Sequence, residues 1–355
     1  MSNLSASEFN TSKSLVDVQS TPKLYLGVLD MLRGFAALSV VLYHFSMPGK
    51  QGGFLVKFYS PTLHFLFQKG NIGVEVFFVI SGFIIPFSLW NTKYQITHFW
   101  HYMRKRLIRI LPPAYAVILL LLLQWIIVDY LLHHNVDRIS ELNTKQLLSN
   151  FLFIVPFTKA QWFNGVFWTL SIELQYYFIL GIVFNIIFKK DNITLFVGVN
   201  LLMFVLSYLP GLPKETFFTY SPLFALGATV LLYYKARVTF ISYLLMIILW
   251  TTLSCISVGY IASIFGLMAA VCITFVKVDS RFFSFFGKIS YSLYLTHILV
   301  GSTLEYIFSK LINLANDYIS LIIILLITVI SIYFSYLYYK WIEIPFLALA
   351  QKVKI

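Results

Sequence analysis

Apolar residues in this chain come in long blocks with little alternation. Stretches such as "EVFFVISGFII" and "AVILLLLLQWIIV" are apolar at nearly every position. Blocks of about 20 residues are what an α-helix needs to cross a bilayer, whereas barrel strands would be short and alternating. The pattern predicts an all-α, polytopic transmembrane helical bundle of about ten spans. These fall near 24–46, 72–90, 111–132, 166–188, 193–209, 217–234, 240–257, 259–276, 289–308 and 318–340. Segment 147–158 is apolar but too short to cross, and is expected to lie at the outer surface or re-enter.

Composition agrees with a membrane protein. Of the 355 residues, 59% are hydrophobic and only 11% charged, against about 25% charged in soluble domains. The net charge of +12 does not signal nucleic acid, because the basic residues are scattered between apolar runs. With both termini cytoplasmic, inner segments carry Lys and Arg over outer ones by about two to one, as membrane topology favours. Residues 1–23 are polar and Ser/Thr-rich and predict a disordered cytoplasmic tail. A second cytoplasmic tail is expected at 347–355. Cys255 and Cys272 sit in apolar runs and suggest no disulfide framework. The sequence carries no reading of oligomeric state.

The first span, "VLDMLRGFAALSVVLYHF", raises the chemical question. It holds Asp30, Arg33 and His44. At 100° per residue all three share one stripe, with His44 roughly 16 Å along the axis from Arg33. A charge at mid-membrane costs on the order of 2.5–3.5 kcal/mol. Three polar groups on one stripe therefore suggest an internal cavity linking the inner half to the outer surface. Two intramembrane acids, Glu75 and Glu173, are expected toward the outer side with His44. Glu173 shares a helix face with Thr169 and Tyr176 or Tyr177, while Ser171, Trp168 and Gln175 face elsewhere. Ser81 points away from Glu75 by the same count. On the ninth span, Ser290, Tyr294 and His297 form a stripe that either lines the same cavity or packs as core.

Several segments resemble the membrane acyltransferase-3 family, which includes O-antigen and Nod-factor O-acetyltransferases. "LRGFAALSVVLYHF" followed by "NIGVEVFFVISGFII" is similar to its opening, with Arg33 and His44 at the family spacing. "RKRLIRILPPAY" resembles its cytoplasmic basic motif, carried by Arg106 and Arg109. "FWTLSIELQYY" resembles its Trp-Ser-x-Glu segment, with Trp168, Ser171 and Glu173. "ISYSLYLTH" and "WIEIPF" resemble its C-terminal signatures, with His297 and Glu343. The resemblance runs in order along 24–346. It implies a bacterial inner-membrane enzyme that moves an acyl group, most often acetyl, from cytoplasmic acyl-CoA to a carbohydrate hydroxyl. The acceptor would be a glycan or lipid-linked glycan. Membrane lipid is the other expected partner, and no permanently bound cofactor is implied. Some relatives carry an appended hydrolase-like domain; this chain ends soon after its last span and would be the stand-alone form.

Acyl transfer to a sugar needs a base, donors for the oxyanion, and a grip on the anionic acyl donor. His44 is the expected base, or the first acceptor of the acyl group. Arg104, Arg106 and Arg109 are expected to hold CoA phosphates. Arg33 would grip a phosphate or polarise the thioester carbonyl. Glu173, or else Glu75, would orient the imidazole of His44. Asp30, Ser81, Trp168, Ser171, Tyr294 and His297 complete the expected cavity lining. Ser81 and Ser171 are weak nucleophile candidates, because intramembrane serines more often bond within or between helices. Glu343 is expected to pair with a cytoplasmic cation and act structurally. His98 with His101, and His133 with His134, lack companions at ligand spacing, so no metal is expected. A transporter or flippase using the same polar residues as a path is the alternative reading.

Overall fold

The architecture comes from a computed structural model, which describes residues 26–46, 60–132, 137–188, 192–278, 280–312 and 317–353. The expected tail at 1–23 and the pair His133 and His134 lie outside these. Every described element is helical. In chain order they are α1 (Leu26–Ser46), α2 (Pro61–Gln68), α3 (Gly73–Asn91), α4 (Phe99–Leu132), α5 (Asp137–Ser140), α6 (Thr144–Phe151) and α7 (Phe167–Phe188). There follow α8 (Ile193–Leu206), α9 (Phe217–Tyr234), α10 (Phe240–Val258), α11 (Tyr260–Phe275), α12 (Arg281–Leu311), α13 (Asp317–Tyr338) and α14 (Ile344–Gln351). Among the described residues, 7 helical stretches are long and apolar enough to cross a membrane, with α8 and α11 as shorter apolar helices. The molecule is a multi-pass helical bundle. Residues 347–351, expected as a tail, are helical and close α14.

Small residues set the two crossings that matter for the site. Helices α1 and α12 meet where a side chain on Gly287 would collide with Asp30, and one on Gly34 with Phe286. Helices α3 and α9 meet where Gly82 and Gly227 lie against the opposing backbone at Phe224 and Val79. In lipid, which offers no hydrophobic drive between helices, such close backbone approach is what favours association.

Helix α4 departs from expectation in an informative way. The basic motif was expected in a loop before a span at 111–132. It is instead the first part of one 34-residue helix, roughly 50 Å long. Pro112 and Pro113 sit inside that helix, where each lacks the N–H that would bond one turn back. Neighbouring tyrosines brace this region. Tyr291 donates to the Ile110 carbonyl at 2.8 Å, and Tyr338 donates to that of Pro113 at 2.5 Å. The turn carrying Arg106 and Arg109 is thereby fixed against α12 and α13.

The short segment expected at the outer surface folds as α6 and a 3-10 turn over Val155–Phe157. It packs onto α7, where Ser171 donates to the Phe153 carbonyl at 2.7 Å.

Candidate active site

Five elements surround a cavity of about 190 Å³. Helix α1 contributes Asp30 and Arg33, α3 contributes Phe77 and Ser81, and α4 contributes Arg106 and Arg109. Helix α7 contributes Thr169, Glu173 and Tyr177, and α12 contributes Ser290, Tyr291 and Tyr294. The α7 residues recur every four positions, which is one face of a helix. Three guanidiniums thus meet two carboxylates in one chamber.

The charges are not left bare. Glu173 accepts from Tyr177 at 2.5 Å and from Ser81 at 3.4 Å. Arg106 is buried, with its guanidinium 5.7 Å from the Tyr102 ring centroid and 5.4 Å from that of Tyr177. Cations over aromatic faces are attracted by the ring quadrupole. Arg33 lies in the field of Arg109, Glu343, Asp30 and Glu173. Glu343, only 3% exposed, accepts from Ser292 at 2.6 Å. A five-residue π-turn, Tyr339–Glu343, places it there; such turns recur at functional sites.

Toward the histidine end the chamber is lined by aromatic rings. Tyr294 and Phe77 meet edge to face with ring centroids 5.7 Å apart. The Tyr294 hydroxyl is 2.8 Å from that of Thr169. Beyond Tyr294, at 6.0 Å between centroids, stands His297.

His297 is fully buried and touches the imidazole of His44, with Nε2 of His297 3.3 Å from Nδ1 of His44. Each ring is anchored by its own helix. Nδ1 of His44 lies 2.9 Å from the Val40 carbonyl, and Nδ1 of His297 lies 3.1 Å from that of Leu293. A carbonyl oxygen can only accept, so each Nδ1 carries the proton. Nε2 of His297 is then an acceptor facing His44. Nε2 of His44 is the lone-pair nitrogen, which is the form a general base requires.

A family profile described as an acyltransferase domain matches residues 26–340. The chain belongs to the acyltransferase-3 family. Among curated relatives it is 33% identical over 170 residues to YrhL of Bacillus subtilis (strain 168), a proposed peptidoglycan O-acetyltransferase; the match covers 44% of this chain and 23% of that protein. It is 29% identical over 217 residues to the O-acetyltransferase OatA of Staphylococcus aureus (strain NCTC 8325 / PS 47), covering 55% of this chain and 32% of that protein. A third match is the peptidoglycan O-acetyltransferase OatA of Listeria monocytogenes, 26% identical over 213 residues, covering 53% and 30%. The chain therefore spans about a quarter to a third of the length of these relatives. No solved structure matches it significantly.

Within this acyltransferase fold the expected residues separate into two groups. Asp30, Arg33, Ser81, Arg106, Arg109, Glu173 and Tyr294 line one chamber. Arg104 does not. It is exposed, two positions and about 200° around α4 from Arg106. Glu173 was expected beside His44, but its polar partners are Tyr177 and Ser81. Glu75 is buried outside the chamber wall, and its Oε2 has no hydrogen-bond partner among the described residues. The imidazole of His44 instead has His297 for its neighbour.

Three other expected lining residues also turn away. Trp168 packs against Phe78 and Tyr220. Ser171 is spent on the Phe153 carbonyl. His297, near a full turn beyond Tyr294, faces α1 rather than the chamber. Glu343 was expected as structural; its place in the field of Arg33 and Arg109 makes it part of the charge balance. Tyr177 and Tyr291 were not singled out for chemistry, although the four-residue recurrence from Thr169 already put Tyr177 on the right face.

Proposed function

We propose that this chain is a bacterial cytoplasmic-membrane O-acetyltransferase that moves an acetyl group from cytoplasmic acetyl-CoA to a hydroxyl of a cell-envelope glycan. The observation that supports it is the division of the bundle. An arginine-rich chamber, suited to an anionic thioester donor, abuts an aromatic wall with a base-form imidazole pair behind it. Arg33, Arg106 and Arg109 hold the donor, since guanidiniums match phosphate oxygens in geometry and charge. The donor's acetyl end reaches past Phe77 and Tyr294 when those rings move aside.

The reaction balances on His44. Its Nε2 takes the proton of the sugar hydroxyl, and the oxygen attacks the thioester carbonyl. The tetrahedral intermediate collapses by breaking the C–S bond. The departing thiolate recovers the proton from His44 Nε2, leaving an acetyl ester and free CoA. While His44 is cationic, its Nδ1–H is shared between the Val40 carbonyl and Nε2 of His297, both of which stabilise the charge. His297 is thus a positioning residue for the base, in the way a carboxylate serves a serine-protease histidine. The test uses purified protein in lipid vesicles with labelled acetyl-CoA and a soluble amino-sugar oligomer. An alkali-labile labelled ester is expected. Flux of substrate across the vesicle without ester formation would mark a transporter instead.

A further inference from the structure

A second concavity lies outside the chamber, at the end of the bundle that carries His44. It is formed by the loop before α7 and the loop before α9, and encloses about 640 Å³. Its walls include Thr158, Gln161, Trp162, Gly165, Lys214 and Glu215. The indole N–H of Trp162 donates to Glu215 Oε2 at 3.3 Å and ties the two loops together. The Phe153 ring stands beside the indole, tilted by 41° with centroids 6.4 Å apart.

The cleft is built in advance of any ligand. Asn150 is fully buried, donates to the Gln161 carbonyl at 2.8 Å and accepts from the Phe163 amide at 2.8 Å. Gln146 bonds both backbone groups of Gln161, at 2.6 and 3.1 Å. The backbone of Gln161 is therefore committed, and its exposed side-chain amide can serve a ligand.

The lining chemistry selects among ligands. Lys214 and Glu215 carry opposite charges, so the cleft has no net attraction for a phosphate, unlike the arginine chamber. It offers an amide, a carboxylate acceptor, an ammonium donor and one large aromatic side chain. A pyranose ring presents one face of C–H bonds and a rim of hydroxyls, which matches a flat indole ringed by polar groups. The position also fits. Gly165 lines the cleft and the next residue, Val166, lines the chamber. Asn164 donates to the Leu295 carbonyl at 3.0 Å, two residues before His297. One short stretch of chain separates the cleft from the wall beside the histidine pair.

We propose that this cleft is an acceptor subsite, in which Trp162 stacks one pyranose unit of the glycan while another unit of the same strand meets His44. This rests on the acetyltransferase reading above, and names where its acceptor is held. The test compares chitotetraose with single N-acetylglucosamine as acceptors for the full-length protein. Trp162→Ala should raise the KM for chitotetraose about tenfold, equivalent to roughly 1.4 kcal/mol, with the KM for acetyl-CoA unchanged. Trp162→Phe should recover most of that loss. The single sugar is too short to span both places and should not sense the substitution.

An unchanged chitotetraose KM in Trp162→Ala overturns the subsite. So does an equal loss for both acceptors, or a parallel rise in the acetyl-CoA KM, since each means a general structural defect. Should the wild type make no ester at all, the acetyltransferase reading fails. Saturation-transfer NMR of chitotetraose then decides the cleft alone. A signal lost in Trp162→Ala and kept in Trp162→Phe supports it, and a signal equal in all three overturns it.

Discussion

The arginine chamber and the histidine pair are built on the same two helices by opposite means. Helix α1 supplies Asp30 and Arg33 to the first and His44 to the second. Helix α12 supplies Ser290, Tyr291 and Tyr294 to the first and His297 to the second. In the chamber, charges draw partners from distant helices as well as their own, as when Glu173 accepts from Ser81, 92 positions away, and from Tyr177. In the histidine pair, each ring is fixed by the carbonyl four residues before it on its own helix. A buried charge must be compensated by tertiary structure. A neutral base needs only a tautomer, which one local bond can set. Binding an anion and abstracting a proton thus make different demands, and the fold meets them at separate ends.

The sharpest way to break the comparison is to remove the base. His44→Ala should lower the rate of ester formation by about a thousandfold, within the range of roughly 10²–10⁴ for a general acid–base residue. The KM for acetyl-CoA should hardly move, because the chamber does not include His44. Thermal unfolding in detergent checks that the bundle survives. A double change in the chamber, Arg106→Ala with Arg109→Ala, should do the reverse. Loss of charge-assisted bonds worth about 2 kcal/mol predicts a rise of roughly thirtyfold in the acetyl-CoA KM, read by initial rates against donor concentration. If both variants changed kcat and KM alike, the two regions would not be functionally distinct.

How much of this was legible in the sequence follows the same division. The helices were legible, because a bilayer-length apolar block leaves the backbone no other way to satisfy its hydrogen bonds. The face carrying Thr169 and Glu173 was legible from helical period alone. What period does not tell is what stands opposite. His44 and His297 are 253 positions apart, and nothing in either helix specifies the other. Arg33 and His44 do share a stripe, yet only Arg33 lines the chamber, where Phe77 and Tyr294 come in from other helices. The basic motif read as a loop because charges usually mark span ends. It is helical and faces inward, with Arg106 over the Tyr102 and Tyr177 rings and Arg109 in the field of Glu343. Glu343 was expected beside a cation, but which cation was not legible, because a π-turn alters the helical count by which its direction would be reckoned.

A finer test separates positioning from proton transfer. His297→Phe removes the acceptor that faces Nδ1 of His44 but keeps a planar ring in the buried space. It should lower kcat about tenfold, with the KM for acetyl-CoA unchanged. His297→Gln retains an amide oxygen able to accept from Nδ1 and should recover part of that loss. A mere packing role predicts the opposite order, because Phe fills the cavity better than Gln. Steady-state rates of the two variants decide it.

The smallest expected effect lies at the wall itself. Tyr294 contributes a ring, which faces Phe77 and His297, and a hydroxyl, which is 2.8 Å from Thr169 and 3.4 Å from the Val166 carbonyl. Tyr294→Phe deletes only the second. The unmade bond should cost about 1 kcal/mol of stability, seen as a modest fall in the unfolding temperature. The wall would still stand, so ester formation should stay within about threefold of wild type. If the rate instead fell as far as in His44→Ala, the hydroxyl itself would be acting on the reacting atoms. The line between donor chamber and histidine pair would then have to be redrawn with Tyr294 on the side of the base.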